Sequence, residues 1–352
     1  MAAMNSRERW LAVLAGEQPD RIPMDYSGTP ELNRKMMRYL GVADLQGLYT
    51  RLHIDYPVNL APIYCGPALA PGTDMYGCRF QNMDYGTGVY EECVWHPLAR
   101  YHDIEEIEDY YNWPLADWFD YSVIPSQLVG AEEQPVMFGM AGIYTLYTRL
   151  RGIEQAFIDF AVNQDLVLYC MDKLTELHAE IAVRTFEQAK GKIDIGSIAN
   201  DMGSQIDLLF SLATIRKLFL PGIRRLADLA HQNGMYVYLH SDGAIRKAIP
   251  DLIEAGVNIL DPVQWRCKGM DRAELKREFG KSLVFHGAVD NQHTLFLGSV
   301  EEVKAEVREN IDILGAGGGY ILAPCHALQA VNPPENVLAM YQAGYEYGRR
   351  WG

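Results

Sequence analysis

A chain of 352 residues, 49% hydrophobic and 22% charged, is long enough to bury a large core, and 31 basic against 46 acidic residues leave it a net charge of −15. That charge repels phosphate backbones and anionic lipid surfaces, which argues against nucleic-acid and membrane partners. No basic-then-apolar leader and no apolar stretch of bilayer length occurs, so a cytoplasmic location is expected; six scattered cysteines without a C-x-x-C pair exclude a zinc ribbon or a thioredoxin-like motif.

The segment SRERWLAVLAG predicts an amphipathic helix closed at Gly16, and residues 21 to 28 (RIPMDYSG) read as a first strand. Residues 57 to 66 read as a second. Aromatic and polar residues alternate around the turn DYGTG, which predicts a β-hairpin over residues 74 to 96, inserted rather than belonging to the main sheet. An acidic helix in HDIEEIEDYYNWP stops at Pro114, and residues 135 to 142 form the third expected strand. From there the alternation is regular. Helices over about residues 153 to 190 lead to KIDIGSIAND, and a helix closed by Gly234 leads to MYVYLHSDG. Three further helices lead in turn to VNILDPVQ, LVFHGAVD and GYILAPCH, and a last one lies in PPENVLAMYQAGYEYGRR. Strand–helix alternation demands a parallel sheet, and eight such units predict an α/β fold of TIM (β/α)8 barrel type, one domain over residues 1–352 with the hairpin at its periphery.

Five of these strands end in polar or metal-binding residues: Asn200 and Asp201, His240 and Asp242, Asp261 and Gln264, His286 and Asp290, Cys325 and His326; Asp25 and Tyr26 end the first strand. Chemistry gathered at successive strand ends is how such a barrel builds an active site. Residues two apart along a strand point the same way, so His240 and Asp242 can share one ion. The competing reading makes Asp242 the cap of the next helix and His240 a hydrogen-bonded barrel residue. A thiolate, an imidazole and a carboxylate from different strand ends match a catalytic zinc site with one open position. His326 would point away from its neighbour on a continuing strand, so Cys325 is the expected ligand of that pair, with packing as a small apolar group the alternative.

The expected zinc set is therefore His240, Asp242 and Cys325. Asp201, Asp242, His286 and Asp290 are the candidate acids, bases or orienting groups, and Asp25, Tyr26, Asn200, Gln264 and His326 the candidate substrate contacts. Capping the next helix or bonding to a loop backbone is the stronger reading for Asp290 and an even alternative for Asp261. Gln205 is a further candidate. Tyrosines cluster in the first half (Tyr76, Tyr85, Tyr90, Tyr110, Tyr111, Tyr144, Tyr147), where they pack under the hairpin or line a flat pocket for an aromatic ring. No G-x-G-x-x-G opening a helix, no P-loop and no G-x-S-x-G elbow is present, which removes dinucleotide hydride transfer, simple ATP hydrolysis and serine-esterase chemistry.

Three stretches carry a resemblance. The opening NSRERWLAVLAGEQPDRIPMDYSGTP, then YVYLHSDGAIRKAIPDLIEAGVNILDPVQ, then the run from MDRAELKREFG through FHGAVDNQ to GGGYILAPCHALQAVNPPENVLAMY resemble the uroporphyrinogen decarboxylase-like superfamily over nearly the whole chain. That superfamily holds both haem-pathway decarboxylases and cobamide-dependent methyltransferases. The decarboxylase branch grips its polycarboxylate substrate with an arginine-bearing M-R-Q-A-G-R-Y motif after the first strand; here the region reads MDYSGTPELNRKMMRYLG, without it.

The methyltransferase branch includes enzymes that hold zinc with His-x-Cys after the fifth strand and a cysteine after the eighth. His240 matches that histidine and Cys325 the distal cysteine, while Asp242 stands where the first cysteine would be. The exchange leaves a harder, more electrophilic zinc set, or a general acid in a site without zinc. The resemblance thus implies a methyltransferase that moves a methyl group from a small donor, a methoxylated aromatic compound, to the cobalt of a corrinoid carried by a partner protein. A decarboxylase or other lyase acting on a small carboxylate is the alternative within the superfamily. A non-catalytic corrinoid or small-molecule binding protein is the alternative outside the enzymes.

Overall fold

The computed structural model describes residues 3–349. Seven parallel strands lie side by side in the order Val58–Leu60, Val136–Ala141, Ile195–Ala199, Tyr236–His240, Ile259–Asp261, Val284–Val289 and Tyr320–Pro324. The helices between them turn their apolar stripes onto the outside of this curled sheet, the arrangement that parallel strands require.

Residues 21 to 28, expected as the first strand, make only two isolated bridges, Met24 with Leu322 and Gly28 with Leu328. Pro23 has no N–H to give to a ladder. The segment nevertheless fills the gap between the two edge strands: the Asp25 N–H donates to the Leu322 carbonyl (2.9 Å), and the Asp55 N–H donates to the Met24 carbonyl (2.7 Å). Asp55, fully buried, fastens it there, accepting from the Met24 N–H (3.0 Å), from both terminal nitrogens of Arg21 (2.6 and 2.9 Å) and from Arg9 (2.9 Å). The expected second strand is also shorter. Val58–Leu60 joins the sheet, while Ile63–Tyr64 leaves it to pair antiparallel with Phe119–Asp120.

Period-two alternation builds the barrel interior in layers. Met137, Ile195, Ile259, Val284 and Ile321 form an apolar layer, closed from below by Trp10 and Val13 of the Ser6–Leu14 helix. Two residues further along three of the strands stand His240, Asp261 and His286, each in register to point inward above that layer. The inserted hairpin, Arg79–Asp84 with Val89–Trp95, is antiparallel and mostly exposed. Among the described residues no helix is long and apolar enough to cross a membrane.

Candidate metal centre

The polar layer is organised by Asp261. His240 donates from Nδ1 to Asp261 Oδ2 at 2.6 Å, and His286 donates from Nδ1 to Asp261 Oδ1 at 2.5 Å. One buried carboxylate thus orients two imidazoles. His286 Nε2 reaches Asp25 Oδ2 at 3.1 Å, so both of its nitrogens are spoken for inside the barrel. His240 Nε2, in contrast, points outward toward Asp201 Oδ1 at 3.5 Å.

Burial disfavours a charged ring at both histidines, but the carboxylates outweigh it. Asp261, with Asp242 and Asp201, lifts His240 to about 9, and Asp261 with Asp25 lifts His286 to about 9. Asp261 answers in the opposite sense: burial would raise it, yet the charge of His286 and the hydrogen bonds from both rings hold it well below the usual carboxylate range. At Asp242 burial pushes the carboxyl up, against the pull of His240 and His326.

Asp201, His240 and Asp242 each offer one ligand atom, and these atoms lie within 4.8 Å of one another. Around a tetrahedral zinc with bonds of ~2.0–2.2 Å, donor atoms sit ~3.3–3.6 Å apart, the spacing of His240 Nε2 and Asp201 Oδ1. One imidazole backed by a carboxylate at its other nitrogen, with two carboxylates beside it, is a donor set that fits a divalent ion of borderline hardness. Two glycines let the supporting loops meet. A Cβ on Gly203 would lie 2.6 Å from the Asp242 carbonyl oxygen, and Gly243, at φ +90°, would put one 2.6 Å from the Gly203 carbonyl carbon. The loops bearing Asp201 and Asp242 therefore touch backbone to backbone, and the Asp242 N–H donates to Asp201 Oδ1 at 3.2 Å.

This set differs from the expected one in a single member, with Asp201 in and Cys325 out. The Cys325 thiol is buried and donates to the Val263 carbonyl at 3.3 Å; burial and the nearby acids Asp290, Glu306 and Asp261 push its pKa well up. It lines a small recess of ≈ 20 Å³ with Cys267, Arg266 and Asp290, beside the cluster rather than in it.

The remaining expected residues separate into two groups. Gln264 and His326 line an open cleft of ≈ 720 Å³ with Asp242. Gln264 Nε2 donates to Asp242 Oδ1 at 2.8 Å while its Oε1 accepts the Gly243 N–H at 2.8 Å, and His326 Nε2 stands 3.9 Å from Asp242 Oδ2. Gln205 lies in the same wall. The others are engaged internally. Asn200 is buried and accepts the Tyr144 N–H at 3.1 Å, and the Tyr26 hydroxyl donates to Asn33 at 2.6 Å. Asp290 accepts the N–H groups of Gln292, His293 and Thr294 and pairs with Arg266 at 2.6 Å, bonding the loop backbone, while the cap position of the Thr294–Leu297 helix is His293. Asp25 touches the site only through His286. For Asp261 the sequence leaves capping or loop bonding and a site role evenly balanced; its place two residues beyond Ile259, on the inward face, is the signal for the orienting role. Asn291, Gln292, Gln329 and Asn332, also in the cleft wall, were not singled out, because they follow the strand ends in irregular loops without periodicity.

Comparison with known proteins gives a family and a fold. The model of a family described as Uroporphyrinogen decarboxylase (URO-D) matches residues 83–347. Among solved structures, a methyltransferase from Methanosarcina mazei has a TM-score of 0.70 at 20% identity, covering 98% of this chain and 99% of its own. A sugar phosphate isomerase/epimerase from Parabacteroides distasonis reaches only 0.40 at 10% identity, over 92% of this chain and 95% of its own. The first likeness establishes the fold; the second is too distant to add to it. No curated protein matches.

Proposed function

The chain belongs to the uroporphyrinogen decarboxylase family, and from that premise we propose that it is a cytoplasmic methyltransferase, moving a methyl group from a methoxylated aromatic donor to the cobalt of a corrinoid protein. The observation that carries this reading is the Asp201, His240 and Asp242 cluster at the strand ends, whose Asp242 lines a cleft with no lysine or arginine among the described residues of its wall. A decarboxylase that grips a carboxylate substrate needs cationic clamps there.

Asp201, His240 and Asp242 would hold a zinc ion, which when bound supplies Lewis acidity toward the departing oxygen. The chain's own residues position it. Asp261 fixes the His240 ring so that Nε2 faces Asp201, and His286 with Asp25 fixes Asp261 in turn. Gln264, held by the Gly243 N–H, turns Asp242 toward the same point. In the transfer the methyl carbon–oxygen bond breaks, the methyl group goes to the partner's cobalt, and the aryloxide oxygen takes up a proton. His326, half-exposed in the cleft wall near Asp242, is the group placed to deliver it from Nε2.

The test is spectroscopic. With a reduced corrinoid protein and a panel of methoxylated aromatics, Co(I) absorption should convert to that of methyl-Co(III). No transfer from any ether, alcohol, amine or thiol, together with metal-independent release of CO2 from a carboxylate, would assign the decarboxylase instead.

A further inference from the structure

One stretch of the cleft wall is a single loop. His326, Val331 and the amide residues Gln329 and Asn332 all line it, on the chain between the Tyr320–Pro324 strand and the Pro334–Gly348 helix. Gln329 and Asn332 close a turn on themselves: the Gln329 N–H donates to Asn332 Oδ1 at 2.8 Å, and the Asn332 N–H donates to the Gln329 carbonyl at 2.9 Å. Bonds inside a turn fix its shape, but its place has to be fixed from outside.

Among the described residues, every hydrogen bond that leaves residues 326–332 runs to one stretch far away in sequence, residues 27–35. The Leu328 N–H donates to the Ser27 carbonyl and the Leu328 carbonyl accepts the Thr29 N–H, both at 2.9 Å. Beyond Leu328 the tie is Lys35, whose Nζ donates to the Ala330 carbonyl at 2.8 Å and to the Asn332 carbonyl at 3.0 Å. The Pro30–Leu40 helix brings the lysine there. Thr29 caps that helix, Pro30 presets its first turn, and Leu32 and Met36 bury its apolar stripe. Lys35, three residues after Leu32, lies on the flank of the stripe, so its stem follows the packed side and the ammonium reaches the turn.

We infer that Lys35 is a positioning residue of the cleft: through the Ala330 and Asn332 carbonyls it holds the 329–332 turn in the wall, and so sets how tightly the cleft grips its ligand without lining the cleft itself. The inference rests on the methyltransferase reading for the nature of that ligand. Leu328 divides the consequences. Its own bonds to Ser27 and Thr29 do not involve Lys35, so His326, on the strand side of Leu328, keeps its place beside Asp242, while Gln329, Val331 and Asn332 lose theirs when the ammonium is removed. Loss of Lys35 therefore weakens binding and spares proton delivery.

Lys35→Met keeps an unbranched stem and removes the donors; Lys35→Arg retains donors for both carbonyls. Hydrogen–deuterium exchange on the full-length enzyme should show peptides over residues 328–332 exchanging at least about tenfold faster in Lys35→Met, with the Tyr320–Pro324 strand unchanged and Lys35→Arg within about threefold of wild type. Methyl transfer from 4-methoxyphenol to a reduced corrinoid protein should show KM raised about tenfold in Lys35→Met with kcat within about twofold, and arginine should restore KM. Zinc affinity, read by chelator competition, should stay within about twofold, because the cluster sits on other loops. Unaltered exchange of the turn in Lys35→Met, faster exchange with an unaltered KM, a loss of kcat as large as the rise in KM, or exchange that quickens throughout the sheet would each overturn the inference. The predicted exchange pattern without methyl transfer from any donor would leave Lys35 its role and remove the methyltransferase reading; methyl transfer by the wild type with an unaltered turn in Lys35→Met would do the reverse.

Discussion

Replacing Asp261 by Asn tests the structural logic of the site at its most connected residue. Asp261 accepts from His240 and His286 at once, and an Asn side chain has one oxygen, so its amino group would be forced against an Nδ1–H. The magnitude follows from His286, which is 4% exposed and lifted from 6.5 to about 9 by Asp261 and Asp25 against the opposing effect of burial. A rise of that size corresponds to about 3 kcal/mol of preference for the charged ring in the folded state, close to the ~3–5 kcal/mol lost when one member of a buried ion pair is removed. A folded-state pKa that is raised contributes stability in full below the unfolded value, near 6.5, and loses it as the pH climbs through about 9. Urea unfolding of metal-free protein, followed by tryptophan fluorescence, should therefore show Asp261→Asn less stable by about 3 kcal/mol at pH 6, the gap narrowing to under about 1 kcal/mol at pH 10. A variant within about 0.5 kcal/mol of wild type at pH 6, or a gap that does not change with pH, would refute the proposed charge arrangement.

Asp55→Ala strands the buried guanidinium of Arg21 and loosens the segment that closes the sheet, so it should cost about 3–5 kcal/mol in a denaturant midpoint measurement. Gly243→Ala forces a Cβ into the Gly203 backbone at a left-handed φ and displaces Asp242; zinc affinity by chelator competition should fall at least about tenfold while secondary structure is kept. Since the metal-free His240 ring holds its second proton up to about 9, zinc binding must expel that proton, and affinity should rise about tenfold per pH unit from pH 7 toward pH 9. A pH-independent zinc affinity over that range would show that His240 is not a ligand.

The strands that carry the site were legible because their inward and outward residues are both apolar and each is bounded by turn residues. Ile195–Ala199, Tyr236–His240, Val284–Val289 and Tyr320–Pro324 all fall within their expected segments, as does the hairpin. The first strand was not, since Pro23 breaks its hydrogen-bonding while tertiary bonds to Asp55 and Leu322 hold the segment in place, and neither partner is near in sequence. Strand ends pointed to His240 and Asp242 together, because alternation is a local rule. Which groups stand beside them is a matter of how loops meet across the barrel mouth, and there the close approach of Gly203 and Gly243 places Asp201 near them while the Cys325 thiol donates to the Val263 carbonyl. The amide wall was illegible for a similar reason: Asn291, Gln329 and Asn332 lie in irregular loops, where no period marks which side chains share a surface.

Zinc K-edge X-ray absorption on the zinc-loaded protein tests the central claim most directly. Coordination by Asp201, His240 and Asp242 predicts a first shell of oxygen and nitrogen alone at ~2.0–2.2 Å, with imidazole scattering beyond it and no change in Cys325→Ala. A sulfur contribution at ~2.3 Å that disappears in Cys325→Ala would contradict it and return the thiol to the metal.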